Sequence, residues 1–185
     1  MSKLNAAYQK LVSLDIQIRD RKPLLPLSQN GQGTWSGIGF SLNGLFYVAP
    51  INEIAEILEV PRLTQVPGVS LWVKGVANVR GRLVPVLDLM QFFYSRYSKA
   101  QIKRQRLLIL ESGEFYTGVV VDEVSGMQHF QADGFLPQVR IMDKLLKPFI
   151  TGGYVDGEKI WPVFSPHKLF EDKKFMKLES LENCL

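Results

Sequence analysis

The chain has 185 residues, 46% hydrophobic and 22% charged, with a formal net charge of +4. That balance excludes a disordered polymer and allows one ordinary domain or two small lobes sharing a core. The charge is small for a protein that tracks phosphate backbone, and a single cysteine, Cys184, excludes an internal disulfide and favours a reducing compartment, the cytoplasm.

Residues 3–20 carry Leu4, Leu11 and Ile18 at seven-residue intervals, with Ala7 and Leu14 between them. This spacing predicts an amphipathic helix with one apolar stripe, ended by Pro23 and Pro26. The stripe fits either the chain's own body or a partner helix. No uninterrupted apolar region of a secretory signal occurs here, and no apolar run reaches the ~20 residues of a spanning helix, so no direct membrane insertion is expected. Residues 21–34 read as a linker, which makes 1–34 a helix-plus-linker unit ahead of a main domain over 35–170.

From Trp35 the chain breaks into short strands. Asn43-Gly44, Ser112-Gly113 and Asp156-Gly157 each separate two apolar runs, predicting hairpins over Trp35–Val48, Arg104–Val121 and Phe149–Phe164. Ile54 to Leu58 adds a strand before Pro61. The stretch Lys74 to Leu89 places a polar turn, Asn78 to Gly81, between strands at Gly75 to Ala77 and Leu83 to Leu87, and so presents Arg80 at a hairpin tip. Pro85 has no ladder donor, which predicts an edge strand or a neighbouring bulge. Helices are expected at Asp88 to Tyr94, around Val139 to Leu145, and from Pro166 towards Leu178, with Ser165 as cap and a helical tail over 171–185. Many short strands argue for small barrels or a sandwich, and no internal repeat is read.

Side-chain chemistry is sparse. His129 and His167 lack companions at metal spacing, so no metal is expected. Gly37-Ile38-Gly39 lies in a strand without a phosphate-loop lysine, and Asp122 and Glu123, adjacent on a strand, point to opposite faces. Catalytic residues: none are expected, nor a cofactor. The cluster Arg96, Lys99, Lys103, Arg104 and Arg106 reads as a solvated loop, with single-stranded nucleic acid the alternative partner. Glu56, Gly75, Arg80, Gly118, Asp122 and Val124 remain as small or polar strand residues whose common use would be a protein interface. Glu56 and Arg80 could pair across neighbouring strands, and each glycine marks a bulge or a close backbone approach.

Several motifs together resemble the CheW-like adaptor domains of bacterial chemosensory arrays. These are Ile54-Ala55-Glu56-Ile57-Leu58, Val66-Pro67-Gly68, Lys74 to Gly81 and Val84-Pro85-Val86-Leu87-Asp88-Leu89, then Gly118 to Ser125, Ile150-Thr151-Gly152-Gly153 and Ile160-Trp161-Pro162-Val163. Trp35 to Phe40 and the Trp72 segment look like the PilI-like subgroup, which serves type IV pili and twitching motility. The resemblance implies a mainly β fold of two small five-stranded SH3-like barrels packed together. It implies a non-enzymatic cytoplasmic scaffold that couples the cytoplasmic tip of a methyl-accepting chemoreceptor to the regulatory domain of a CheA-like histidine kinase. By the same resemblance Glu56 and Arg80 match an acidic–arginine pair, and Ile54, Gly75, Gly118 and Val124 match receptor-groove positions, with Asp122 beside them. A flagellar chemotaxis adaptor is the nearest alternative, and no nucleic acid is expected among the partners of such a scaffold.

Overall fold

The computed structural model describes residues 33–176. The helix expected over 3–20, most of the linker and the last nine residues, with Cys184, lie outside that range. Ten strands form two five-stranded sheets. In chain order they are β1 (Thr34–Leu42), β2 (Leu45–Pro50), β3 (Ile54–Glu59), β4 (Val73–Val79), β5 (Arg82–Asp88), β6 (Arg106–Ser112), β7 (Phe115–Val121), β8 (Glu123–Gln131), β9 (Ile150–Asp156) and β10 (Lys159–Phe164). Sheet order is β8-β1-β2-β10-β9 in the first lobe and β3-β6-β7-β5-β4 in the second, so the first lobe is built from both ends of the described chain and the second from its middle. All four expected hairpins are present.

Turn chemistry explains the tips. Leu42 pairs with Leu45 and Val79 with Arg82, leaving two-residue loops, Asn43-Gly44 and Arg80-Gly81. All four loop residues have positive φ, the requirement of the hairpin turn that matches strand twist. Asn78 Oδ1 accepts the Gly81 N–H at 2.8 Å, which steadies the second tip.

Strands that carry apolar residues on both faces serve two cores. Along β6, Leu108 and Leu110 join a large central cluster while Leu107 and Ile109 join the second lobe's own cluster. Likewise Ile38, Phe40 and Leu42 of β1 enter the central cluster, whereas Trp35 enters the first lobe's cluster with Phe130, Tyr154 and Trp161. The period of two therefore splits each strand between an intra-lobe and an inter-lobe core. Gly37 and Gly39, expected to be packing residues, sit where added Cβ atoms would meet Ala49 O at 2.6 Å and the Trp161 ring at 3.0 Å.

Pro85 is not at an edge, because β5 lies between β4 and β7. The bulge part of the expectation holds: the β4–β5 register slips between Val73 and Gly75, and β7 pairs with β5 only over Val86–Asp88, so no partner on that side needs a donor from Pro85. The helix expected around Val139 to Leu145 is absent. Leu136 instead pairs with Gly153 in both directions, Ile141 packs on the central cluster, and Asp143 Oδ1 takes the Leu145 N–H at 2.9 Å, a local bond that competes with helix formation. Helix α1 (Leu89–Tyr94) is capped by Asp88, which accepts the Gln91 N–H. The predicted final helix is divided into α2 (Pro166–Phe170), capped by Ser165, and α3 (Lys173–Met176), where Asp172 Oδ1 takes the Lys174 and Phe175 N–H groups.

An internal repeat does exist, in register rather than in residues. Val76 pairs with Pro85 on one side and Thr64 on the other; Gly153 pairs with Pro162 and Leu136 in the same way. Following the ladders outward, Val86 corresponds to Val163, Gly118 to Val48, Ile109 to Gly39, Glu56 to Gly126, Gly75 to Gly152, and Ile54 to Val124. Even the bulges match. Only Gly75 with Gly152 and Pro85-Val86 with Pro162-Val163 keep the same residues across these aligned strands, too few for periodicity in the sequence to reveal the repeat.

Gly75 shows the constraint this geometry imposes. Its φ is +135° and an added Cβ would lie 2.3 Å from the Thr64 carbonyl oxygen, whereas Gly81, at φ +85°, has open space. Gly75→Ala should therefore cost at least about 2 kcal/mol in urea unfolding, and Gly81→Ala roughly 1 kcal/mol from backbone strain alone. Equal losses would contradict the close approach.

Candidate functional site

The expected interface residues fall into three places. Glu56, Gly118 and Gly75 share one transverse row of the second lobe, running Glu56–Ile109–Gly118–Val86–Gly75 through successive register pairs. Laterally paired residues point to one face, and Ile109 and Val86 belong to this lobe's internal cluster. The two glycines are buried members of that row. A Cβ on Gly118 would meet Leu107 Cδ1 at 2.8 Å, so its lack of a side chain makes room for Leu107 inside the lobe.

Glu56 ends the row at the sheet's outer strand and reaches Arg80. Arg80 Nη2 donates to Glu56 Oε1 at 2.8 Å. The strands involved are not neighbours: β3 and β4 are the two ends of the sheet, so the pair spans the open seam of the lobe. Its partners are unequal in exposure, 81% for the Arg80 side chain and 18% for Glu56. The carboxylate is a recessed anchor and the guanidinium keeps most of its donors in solvent.

Repeat symmetry tests whether this pair is needed for the fold. The position equivalent to Arg80 in the β9–β10 hairpin is Gly157, at φ +59°, and that equivalent to Glu56 is Gly126. The first lobe closes with the same topology and no ion pair. Arg80 itself sits at φ +51°, a left-handed conformation that costs a side-chain-bearing residue roughly 1 kcal/mol relative to glycine. An exposed ion pair returns only ~0.2–1 kcal/mol. Stability alone does not account for an arginine at this tip.

Ile54 and Val124 occupy equivalent bulge positions, one in each lobe. Ile54 pairs with Leu110 and Val124 with Phe40, each followed by an unpaired residue, Ala55 or Ser125. Both are half-buried against the central cluster, so one face of each touches the junction between lobes. They are the paired apolar positions of the junction that the chain also leaves partly open to solvent.

Asp122 has a different part, at the crossing from β7 in one lobe to β8 in the other. Its Oδ2 accepts the Asn43 N–H at 2.7 Å, its Oδ1 accepts the Ser98 hydroxyl in a short bond, and its own N–H reaches Ser41 O at 3.1 Å. Arg96 Nη2 then donates to Asn43 Oδ1 at 2.5 Å. This latch ties the β1–β2 tip to the loop after α1. Sequence reasoning missed Asn43, Arg96 and Ser98 in this role, although an asparagine at the left-handed position of a hairpin is a signal of a side chain free to bond locally. The remaining basic residues divide similarly: Arg106 donates to the Lys103 and Gln105 carbonyls and organises its own loop.

Electrostatics at the other side of the junction centre on Glu53, in the single-turn 3-10 helix Ile51–Glu53 that joins the lobes. Its Oε2 is buried without a hydrogen-bond partner. Burial pushes its carboxyl above the ordinary 4.5, against the opposing pull of the His167 backbone N–H and the His167 ring. His129 Nδ1 lies 2.8 Å from Ser36 Oγ across the β1–β8 pairing, and His167 pairs with Glu171 one helical turn on at 3.3 Å. Among the described residues no group of three or more His, Cys, Asp or Glu could hold a metal ion, and no helix is long and apolar enough to cross a membrane.

Residues 36–174 match the family described as CheW-like domain. The chain is 45% identical over 176 residues to Protein PilI of Pseudomonas aeruginosa, covering 95% of this chain and 98% of that protein. It is 25% identical to Chemotaxis protein CheW of Klebsiella aerogenes, over 77% of this chain and 85% of the relative. In three dimensions it resembles the scaffolding protein TtCheW of Thermoanaerobacter tengcongensis, with a TM-score of 0.64, 25% identity, and coverage of 75% of this chain and 94% of that one.

Arg80→Gly relieves the left-handed strain and loses an exposed pair, so urea unfolding should change by no more than about 0.5 kcal/mol. A loss of ~2 kcal/mol or more would make the pair a structural clasp. Glu53 prefers its proton in the folded state. Its contribution to stability is therefore complete below the ordinary carboxyl value and is lost as pH rises through the raised folded value. Glu53→Gln keeps an acceptor and never ionises, so it should be more stable than the parent at pH 7 and equal to it near pH 4; the same gain at both would exclude the carboxyl's ionisation as the cause.

Proposed function

Since this chain belongs to the CheW-like domain family, we propose that it is a non-enzymatic adaptor that couples a chemoreceptor's cytoplasmic tip to a histidine kinase, with pilus-driven twitching as the output. The observation that carries this proposal is Arg80. A strained, exposed arginine stands where the other lobe has glycine, and a recessed carboxylate aims it. Its guanidinium offers several N–H donors in a fixed plane, suited to carboxylates and carbonyls on another protein's surface.

The receptor's helical hairpin lies at the junction of the lobes, with Ile54 and Val124 as apolar contacts and Arg80 setting its register. Gly75 and Gly118 shape the wall from beneath, and Asp122 fixes the lobe-to-lobe crossing. The kinase's regulatory domain occupies a separate surface, so that the adaptor works at the cytoplasmic face of a receptor array. Pairwise contacts need not be strong there, because each adaptor engages several neighbours and the effective concentration of the second contact is high. Signal passes as a change in kinase populations, which requires the array to bind two receptor states unequally and requires no bond-making by the adaptor. The pilus assignment is favoured by near-complete coverage of a relative named PilI at 45% identity.

The test is co-purification of the chain with a receptor cytoplasmic fragment and with the kinase. Arg80→Ala should reduce receptor capture by about tenfold, the scale of one lost charged contact at ~1.4 kcal/mol, with an unchanged melting temperature and retained kinase capture. Capture of neither partner by the parent protein would overturn the adaptor role. Deletion in the source organism should abolish twitching and spare swimming; the reverse result would transfer the adaptor to a flagellar system.

A further inference from the structure

Asn43, Arg96 and Asp122 of the latch line a pocket of about 590 Å³ between the β1–β2 tip and the loop that leads into β6. Buried Ser41 and Met90 line it together with exposed Asn43, and Arg96, Lys99 and Arg104 border it along with Asp122 and Glu123. Three cations meet two carboxylates, but the carboxylates do not neutralise them equally. Asp122 keeps its charge, but both its oxygens are already engaged, by the Asn43 N–H and the Ser98 hydroxyl, so it makes no direct bond to any of the three cations. Glu123 Oε2 stands 3.9 Å from Arg104 Nη1, at the limit of an ion pair, and both side chains are exposed.

Arg96 is held by a neutral group. Its guanidinium donates to the Asn43 amide oxygen and lies 5.3 Å from the Tyr94 ring centre, so it is oriented without an ion pair. Lys99 has no ion pair among the described residues. The loop's other arginine, Arg106, bonds to its own carbonyls and adds nothing to the pocket. The cationic excess is thus concentrated in a concave space, and the volume falls in the ~300–1,000 Å³ range of small-molecule sites. A flat basic patch would suit an acidic protein segment; a recess with an oriented guanidinium and a free ammonium suits a compact dianion.

We propose that this pocket binds a small ligand bearing a phosphoryl group, with Arg96, Lys99 and Arg104 as its cationic contacts and the Met90 side accommodating an uncharged body. The ligand would sit against the Asn43–Asp122–Ser98 latch and so bear directly on how the lobes are joined. The site stands on the pocket's charge and geometry and does not depend on the adaptor role.

Titration calorimetry on the full chain tests it, with inorganic phosphate and adenosine monophosphate as separate probes and adenosine as the uncharged control. Saturable binding of the monophosphate is expected, weakened about tenfold by Lys99→Ala and again by Arg104→Ala, exposed positions at which the melting temperature should hold. Binding of inorganic phosphate with the same losses would assign recognition to the phosphoryl group alone; monophosphate binding without phosphate binding would assign the uncharged body a share, and both support the site. Absence of binding by either anion, equal binding of adenosine, insensitivity to both substitutions, or tighter binding of a polyglutamate peptide through the same residues would overturn it.

Discussion

The molecule depends on burying one apolar layer between its two lobes. The central cluster takes Ile38, Phe40, Leu42, Tyr47, Phe149, Ile150 and Phe164 from the first lobe and Leu87, Leu108, Leu110, Val119 and Val121 from the second. Full burial of such side chains contributes roughly 1.5–3 kcal/mol each, more than either small internal cluster can assemble. The lobes are therefore one folding unit with three cores. That shared layer holds Ile54 of one lobe and Val124 of the other against the same cluster, which a flexible tether between two barrels could not do.

Symmetry separates what the fold requires from what it carries. Gly75 and Gly152 are both forced, because a Cβ added to either would meet a carbonyl of the segment that caps its strand, Thr64 O at 2.3 Å and Leu136 O at 2.5 Å. The capping residues Asp88 and Ser165 are likewise matched, one before each helix. Glu56 and Arg80 have no counterpart in the other lobe, where Gly126 and Gly157 stand at the equivalent positions and Gly157 adopts the left-handed turn conformation without a side chain. A feature present in one copy of a repeat and absent from the other is a candidate for function on physical grounds, independent of any relative.

Much of the fold is legible in the chain. Asn43-Gly44 and Asp156-Gly157 mark hairpins because few residues tolerate positive φ, and Ser165-Pro166 marks a helix start because cap and first-turn chemistry are local. Pairing across long distances is not legible: that β8 returns to β1 follows from the buried layer, and a run such as Val119 to Val121 is apolar in either lobe. The segment Val139 to Leu145 misleads because its apolar spacing fits a helix, whereas Leu136 on Gly153 holds the preceding chain extended. Of the site, Arg80 stands out as a charged residue at a turn, but the seam it crosses exists only once β3 and β4 become opposite ends of a sheet. Asp122 is visible as polar, yet its ties to Asn43 and Ser98 are tertiary facts.

The order of strands along the chain has a consequence for biogenesis. The middle lobe, β3 to β7, is contiguous, so a polypeptide emerging from the ribosome can assemble it from nearby segments. The outer lobe cannot close until β8 to β10 arrive, since Trp35 must find Phe130 and Val48 must find Val163. Long-range pairing of this kind raises contact order and slows folding. Meanwhile the nascent β1–β2 hairpin, with Phe40, Leu42 and Tyr47 uncovered, has the completed middle lobe's apolar face as its nearest shelter, and that lobe becomes the template on which the second half of translation is organised.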